Sequence, residues 1–308
     1  MTKKEIIAML KIRNTSKDYY DLIQKSNKQS RKQFGKVGYV FAQIGINAEP
    51  CSKDCKFCSM GAGHYALDSK WKKDFTQIQG NLKQLLSEGI NDFFLMATAD
   101  YSISDFIVNS SKIKKMLPFD IRFVANVGDF SLETARKLKD IGYTGAYHIK
   151  RLREGIDTLI KPEERIATIE NALKAKLELY YCIEPIGPEH SYEEIAEEIL
   201  FAKQYPISVM AVMRRIPVLG TPLFGKGKIN AMELTKIVAV TNLVIKPKRA
   251  MNVHEPTQMS LLAGVNQLYA EVGANPRDIK SSTEKGRGFT PSMAWDMLAE
   301  AEYFKLNK

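Results

Sequence analysis

The sequence predicts a (β/α)8 barrel of the TIM type, with a helical extension before it and a helix after it. Eight short, continuous apolar runs are separated by amphipathic segments, and no Gly-, Ser- or Pro-rich linker breaks the alternation. Continuous apolar runs suit parallel strands buried on both faces, and the segments between them suit the helices that cover such a sheet. An open, doubly wound sheet for the later units is the alternative, but a count of eight favours closure. At 308 residues the chain fits one large domain, since such barrels commonly reach about 250 residues as a unit. The expected division is a helical extension over residues 1–36, the barrel over 37–280 and a helical tail over 281–308.

In chain order, Lys3–Ile12 and Ser16–Phe34 have helical periodicity, with Tyr19, Tyr20, Leu22 and Ile23 on one side of the second and Gly35 as its stop. This pair is expected to lie across one end of the barrel or cap it. Val37–Ile46 is the first strand. Asp74–Glu88 leads to Phe93–Ala97, Ile103–Met116 to Ile121–Asn126, and Ser131–Ile141 to Gly145–Ile149. Pro162–Lys174 precedes Leu177–Ile183, Tyr192–Gln204 precedes Ser208–Met213, Ala231–Leu243 precedes Arg249–Val253, and Thr257–Ala263 precedes Gln267–Glu271. Thr290–Phe304 reads as a packing helix, with Met293, Met297, Leu298 and Ala301 at helical spacing and its methionines as core filler rather than ligands.

The formal charge of +10 comes without a basic run interleaved with aromatics, so a solvated surface is favoured over a nucleic-acid groove, and an anionic substrate remains compatible. No stretch has the length and apolarity of a membrane span, and the first residues lack the pattern of a signal peptide. A cytoplasmic protein is expected, in which clustered cysteines bind metal rather than form disulfides.

That cluster is Cys51, Cys55 and Cys58, in a loop directly after the first strand. So tight a spacing turns three thiolates toward one soft metal centre. Tetrahedral zinc needs a fourth ligand, for which His64 is the nearby candidate. An iron–sulfur cubane held by three cysteines leaves one iron open to a small chelating molecule.

The run from Cys51 to Cys58, with Phe57 before the third cysteine, resembles the signature of the radical S-adenosylmethionine (SAM) superfamily, and the surrounding chain resembles its biotin synthase-like group, which includes hydrogenase-maturation and thiazole-pathway enzymes. The resemblance implies a [4Fe-4S] cluster on Cys51, Cys55 and Cys58 whose open iron binds SAM. One electron, from a donor such as a flavodoxin or ferredoxin, then cleaves SAM to a 5′-deoxyadenosyl radical that takes hydrogen from a small substrate, in cofactor biosynthesis or related chemistry. It also places Glu154, after the fourth strand, against the amino or ribose side of SAM, and Arg165 against its carboxylate, where a planar fork can grip two oxygens. The competing role for Glu154 is to pair with Arg151 or Arg153; for Arg165 it is a surface ion pair. Ile186 and Gly187 match the turn that passes the adenosyl group, and Thr98, Asn126 and Gly128 are weaker lining candidates. Arg214, Asn252, His254 and Glu255, at the ends of later strands, are candidates for substrate contact.

The resemblance has departures. Biotin synthase itself normally carries a second, sulfur-donating cluster, whereas here only Cys182 remains and reads as a small buried hydrophobe. A sulfur-inserting biotin or lipoyl synthase-like enzyme would therefore need sulfur from a partner. A non-catalytic protein whose loop is fastened by zinc or a cluster is the alternative of another class.

Overall fold

The computed structural model describes residues 1–254, 257–273 and 289–305. Eight parallel strands close into a barrel: β1 (Tyr39–Gly45), β4 (Asp92–Met96), β5 (Arg122–Asn126), β6 (Gly145–Tyr147), β7 (Glu178–Ile186), β8 (Ile207–Arg214), β9 (Ala250–Val253) and β10 (Gln267–Glu271), with β1 between β10 and β4. Two short strands, β2 (Asn47–Ala48) and β3 (Trp71–Lys72), pair antiparallel outside it. The barrel strands are almost wholly buried, as apolar runs between an inner packing and an outer helical layer must be.

Seven helices follow the strands in turn: α3 (Phe75–Glu88), α4 (Ile103–Lys114), α5 (Leu132–Ile141), α6 (Pro162–Lys174), α7 (Tyr192–Ala202), α8 (Ala231–Ile245) and the short α9 (Gln258–Leu262). Local chemistry sets their starts. The side chains of Asp74, Ser102, Ser131, Ser191 and Asn230 each accept a backbone N–H of the first turn, and α6 opens on Pro162, whose missing N–H costs nothing there. The eighth outer position belongs to the C-terminal helix Pro291–Glu300, which packs on β10 and β1 and sends the Trp295 indole N–H to Gly89 O at 2.7 Å. It buries Pro291, Ala294, Trp295 and Leu298, whereas Met293 is exposed and Met297 only partly buried. Met293 falls outside the face set by the 291/294/295/298 spacing, so it is not core filler.

The extension does not lie across a barrel end. Helix α1 (Lys3–Leu10) packs on α7 and α8, and α2 (Lys17–Phe34) runs parallel to α8 along the barrel's side. Tyr19 hydroxyl donates to Met232 O, Gln29 to Asn242 O and Gln33 to Pro247 O, so rising numbers in one helix meet rising numbers in the other. The physical reason lies in α8, buried on every side from Leu234 to Val244, which a barrel helix with one solvent face would not be. Its buried Asn242 amide donates at 2.9 Å to the hydroxyls of Ser26 and Ser30, fixing the register of the second layer.

Polar side chains close the barrel floor, at the N-terminal ends of the strands. Asp92 accepts from Arg249 at 2.6 Å, Gln267 at 2.7 Å and Tyr180 at 3.3 Å, and Arg122 joins Tyr180 to Glu178. Asn252 belongs here. Its amide donates to Gln267 at 3.0 Å, so its side chain sits in the floor network, away from the barrel mouth where a substrate contact was expected. No helix of the described residues is long and apolar enough to cross a membrane.

Candidate active site

The cysteine loop sits at the C-terminal end of β1 and is pinched at its base. Asn47 pairs with Lys72 and Ala48 with Trp71, and Lys73 N–H donates to Ile46 O at 2.8 Å. Asn47 also ties the loop to the end of β4, accepting Thr98 N–H at 2.9 Å and donating to Thr98 Oγ1 at 2.8 Å. Thr98 is thereby committed to holding the loop's base. Inside the loop, Cys51 N–H donates to Met60 O at 2.7 Å, Ala62 N–H to Cys51 O at 3.0 Å and Cys58 N–H to Cys55 O at 2.9 Å. The three cysteines form no disulfide and are half-buried, and Phe57 is half-buried between the last two.

His64 completes the loop without offering itself as a fourth ligand. Its Nε2 lies 3.1 Å from both Cys55 O and Cys58 O, and its Nδ1 is 3.4 Å from Asp54. An N–H directed at two carbonyls stitches the turn, which removes the side chain that a three-Cys, one-His zinc site requires. The loop is bound to the turn after β6: Lys56 N–H donates to Asp157 O at 2.9 Å and Leu159 N–H to Lys53 O at 2.8 Å.

Beside the loop a cavity opens at the ends of β4, β5 and β6, lined by Asn126, Gly128, Tyr147, His148, Arg151 and Arg165 among others. Gly128 is obligatory: a Cβ there would stand 2.5 Å from Ala99 O, so only glycine lets the β4 and β5 exits approach so closely.

The cavity's charge comes from two guanidiniums, Arg165 buried and Arg151 half-buried. Arg165 reaches Asp129 at 3.3 Å and Glu154 at 3.5 Å, and Arg151 reaches Glu184 at 3.3 Å and Glu154 at 4.0 Å. Nε of Arg165, and Nε and one terminal nitrogen of Arg151, face these carboxylates as ion pairs without a well-formed hydrogen bond. Two guanidiniums at the wall of one cavity suit an anionic ligand. Burial, with Arg151 alongside, pushes the Arg165 guanidinium below its ordinary value. Burial also opposes the charge of Arg151, but Glu184 and Glu154 outweigh it and hold the group above its ordinary value.

Glu154 is sealed beneath them. Its side chain is 1% exposed; Oε1 accepts Thr158 hydroxyl at 2.6 Å and Oε2 accepts Arg151 N–H at 3.0 Å. Of its two sequence-based roles, the pairing with Arg151 is the one this geometry carries, with Arg165 as a further partner; Arg153 turns away to Glu194. Arg165 is no surface pair, being 6% exposed. His148 donates from Nε2 to Asp129 at 2.9 Å; burial drives its pKa down to about 4, so it is neutral and that nitrogen carries the proton. Asp129, His148 and Asn47 had no assigned place in sequence reasoning, and Arg151 entered only as a pairing partner of Glu154; Asp129, His148 and Arg151 stand in the exit loops of strands already picked out.

Ile186 is fully buried. The space that a side chain at Gly187 would take is filled by Arg215 and Glu189, 2.4 Å from the ideal Cβ, so the close approach here is to an ion pair of the protein. Arg214 is buried and donates to Ile229 O at 3.0 Å. His254 lies inside the barrel mouth, its ring 5.3 Å from those of Tyr147 and Phe41. Glu255 lies outside the described residues.

No family model matches this chain. It is 28% identical to biotin synthase of Acetivibrio thermocellus over 239 residues, 71% of each chain, and 27% identical to that of Ehrlichia canis over 274 residues, 82% of each. Among solved structures, methylornithine synthase superposes with a TM-score of 0.85 at 15% identity, over 99% of this chain and 94% of that one. The [FeFe]-hydrogenase maturase HydG from Carboxydothermus hydrogenoformans superposes with a TM-score of 0.82 at 14% identity, over 99% and 76%. The last two likenesses concern the fold.

Proposed function

We propose, for a chain that belongs to the biotin synthase-like group of the radical SAM superfamily and is an enzyme of that family, that Cys51, Cys55 and Cys58 hold a [4Fe-4S] cluster and that the adjoining cavity takes SAM. The observation that carries this reading is the pair of guanidiniums, Arg151 and Arg165, in the wall of a cavity beside three clustered cysteines that form no disulfide. When bound, cluster and SAM together supply a 5′-deoxyadenosyl radical able to take hydrogen from a substrate C–H.

The chain's own residues bind and position. Burial pushes the Cys55 thiol up to about 12, with the Arg151 guanidinium pulling the other way, so iron must supply most of the charge that keeps it a thiolate. Arg165 presents its fork to the SAM carboxylate, and Glu154 and Asp129 hold that fork in place. Neutral His148 backs Asp129 without adding a third positive charge to the wall. Asn126 lines the same cavity, while Thr98 acts through Asn47 on the cysteine loop. Phe57 shields the cluster side of the loop, and Ile186 with Gly187 shapes the turn toward the adenosyl group. A small substrate would enter at the barrel mouth, near His254 and Arg214, and excluding water there protects a reactive carbon centre. A small reducing protein would deliver the electron.

Anaerobic reconstitution with iron and sulfide tests the proposal. About four irons per chain, broad visible absorption, and 5′-deoxyadenosine formed from SAM and dithionite are the expected outcome. Stoichiometric zinc with no 5′-deoxyadenosine would exclude it.

A further inference from the structure

Inside the barrel mouth, one strand place from the proposed SAM cavity, three side chains of different chemistry converge. The sulfur of Cys182, a carboxylate oxygen of Glu184 and a ring nitrogen of His254 all lie within 4.8 Å of one another. Cys182 and Glu184 come from β7 and His254 from the end of β9, so the barrel closure, not chain proximity, brings them together.

We propose that Cys182, Glu184 and His254 form a second metal site, for a divalent cation of the zinc class, with a fourth position open to a heteroatom of the substrate. One thiolate, one carboxylate and one imidazole are ligands that zinc and its neighbours in the first transition row accept, and three protein ligands with one vacancy is the pattern of catalytic rather than structural sites. Tetrahedral bonds of about 2.0–2.3 Å separate ligand atoms by about 3.3–3.8 Å, so small side-chain rotations would seat the ion. A thiolate and a carboxylate also neutralise a double positive charge.

The surroundings are those of a supported site. Glu184 is fixed at both oxygens, by Arg151 at 3.3 Å on Oε1 and by Tyr147 hydroxyl at 2.9 Å on Oε2. A ligating carboxylate is held by such outer partners, and Oε2 keeps a lone pair for the ion. The His254 ring is oriented by Tyr147, 5.3 Å away and stacked at 30°, and by Phe41. Cys182 is fully buried, but the side chains of Glu184 and His254 keep 12% and 16% exposure, which leaves a way in. Tyr147 and Arg151 also line the proposed SAM cavity. A substrate held by the ion would thus stand across one layer of side chains from that cavity.

The site itself does not rest on the cluster assignment, and the test keeps the two apart. With Cys51, Cys55 and Cys58 replaced by Ala in the full chain, the metal-stripped protein is titrated with Co²⁺. One equivalent should bind with thiolate-to-cobalt charge-transfer absorption. Adding Cys182→Ser should abolish that absorption, and His254→Ala or Glu184→Gln should weaken binding at least tenfold. If the triple variant does not fold, the cluster-loaded wild-type chain is incubated with Co²⁺ and desalted anaerobically, and cobalt X-ray absorption counts its sulfur ligands. No retained cobalt, or cobalt retained equally by Cys182→Ser, overturns the proposal. Cobalt binding at this site in the wild-type chain, when anaerobic reconstitution gives that chain no iron, supports this site and counts against the function proposed above.

Discussion

Replacing Arg165 with Lys keeps a positive charge beside Asp129 and Glu154 but removes the planar fork. In the structure the guanidinium spans Asp129 at 3.3 Å through a terminal nitrogen and Glu154 at 3.5 Å through Nε. A lysine ammonium is a point charge and cannot hold both carboxylates and a third one from a ligand in one plane. Losing one charge-assisted contact is worth about 1.5–3 kcal/mol, which raises the SAM dissociation constant by about 10- to 150-fold. Fold and cluster should survive, because Asp129 keeps His148 and Thr168 as donors and Glu154 keeps Thr158 and Arg151. Equilibrium dialysis of SAM against reconstituted protein, with iron counted in parallel, gives the measurement. A dissociation constant within about twofold of wild type, with the cluster intact, would refute the assignment of Arg165; an exposed ion pair would contribute only roughly 0–1 kcal/mol of stability and leave SAM affinity alone.

Other expectations follow from the same geometry. The triple change of Cys51, Cys55 and Cys58 to Ala should unfold cooperatively at close to the wild-type denaturant midpoint yet take up no iron, since the loop is tied down by backbone bonds from Cys51, Lys53 and Lys56 rather than by the sulfurs; insolubility would instead make the metal a structural staple. Gly128→Ala forces a Cβ against Ala99 O, so a loss of about 1–3 kcal/mol in urea unfolding is expected, together with weaker SAM binding. His148 is held to about 4 against an ordinary 6.5 because burial penalises its charged form. The unfolded chain therefore takes up a proton that the folded chain refuses, so this contribution is fully present above pH 6.5 and lost as pH falls through about 4. It amounts to something on the order of 3 kcal/mol, and His148→Gln should close its stability gap to wild type across that window in urea titrations. A gap that does not change with pH would show that His148 already titrates normally in the folded chain.

The amino-acid sequence by itself determined the barrel and the cysteine loop, because both are written locally. Each strand is an apolar run that must be buried, most helices carry their own cap, and three cysteines fall within eight residues of one loop. Arg165 could be singled out through the resemblance to a family. The places of Asp129 and His148 beside it could not, because these residues sit on exit loops that become neighbours only when β5 and β6 pair and the barrel closes. The same holds for Asn252, which points to the barrel floor because Gln267 lies beside it in register. Helix α2 flanks the barrel rather than capping an end because α8 leaves a second apolar side uncovered. Cys182, read alone, is a small hydrophobe on a strand; Glu184 two residues later and His254 two strands away in the barrel give it chemical meaning. Local periodicity specifies which residues are buried, and only closure of the barrel decides which buried polar groups meet.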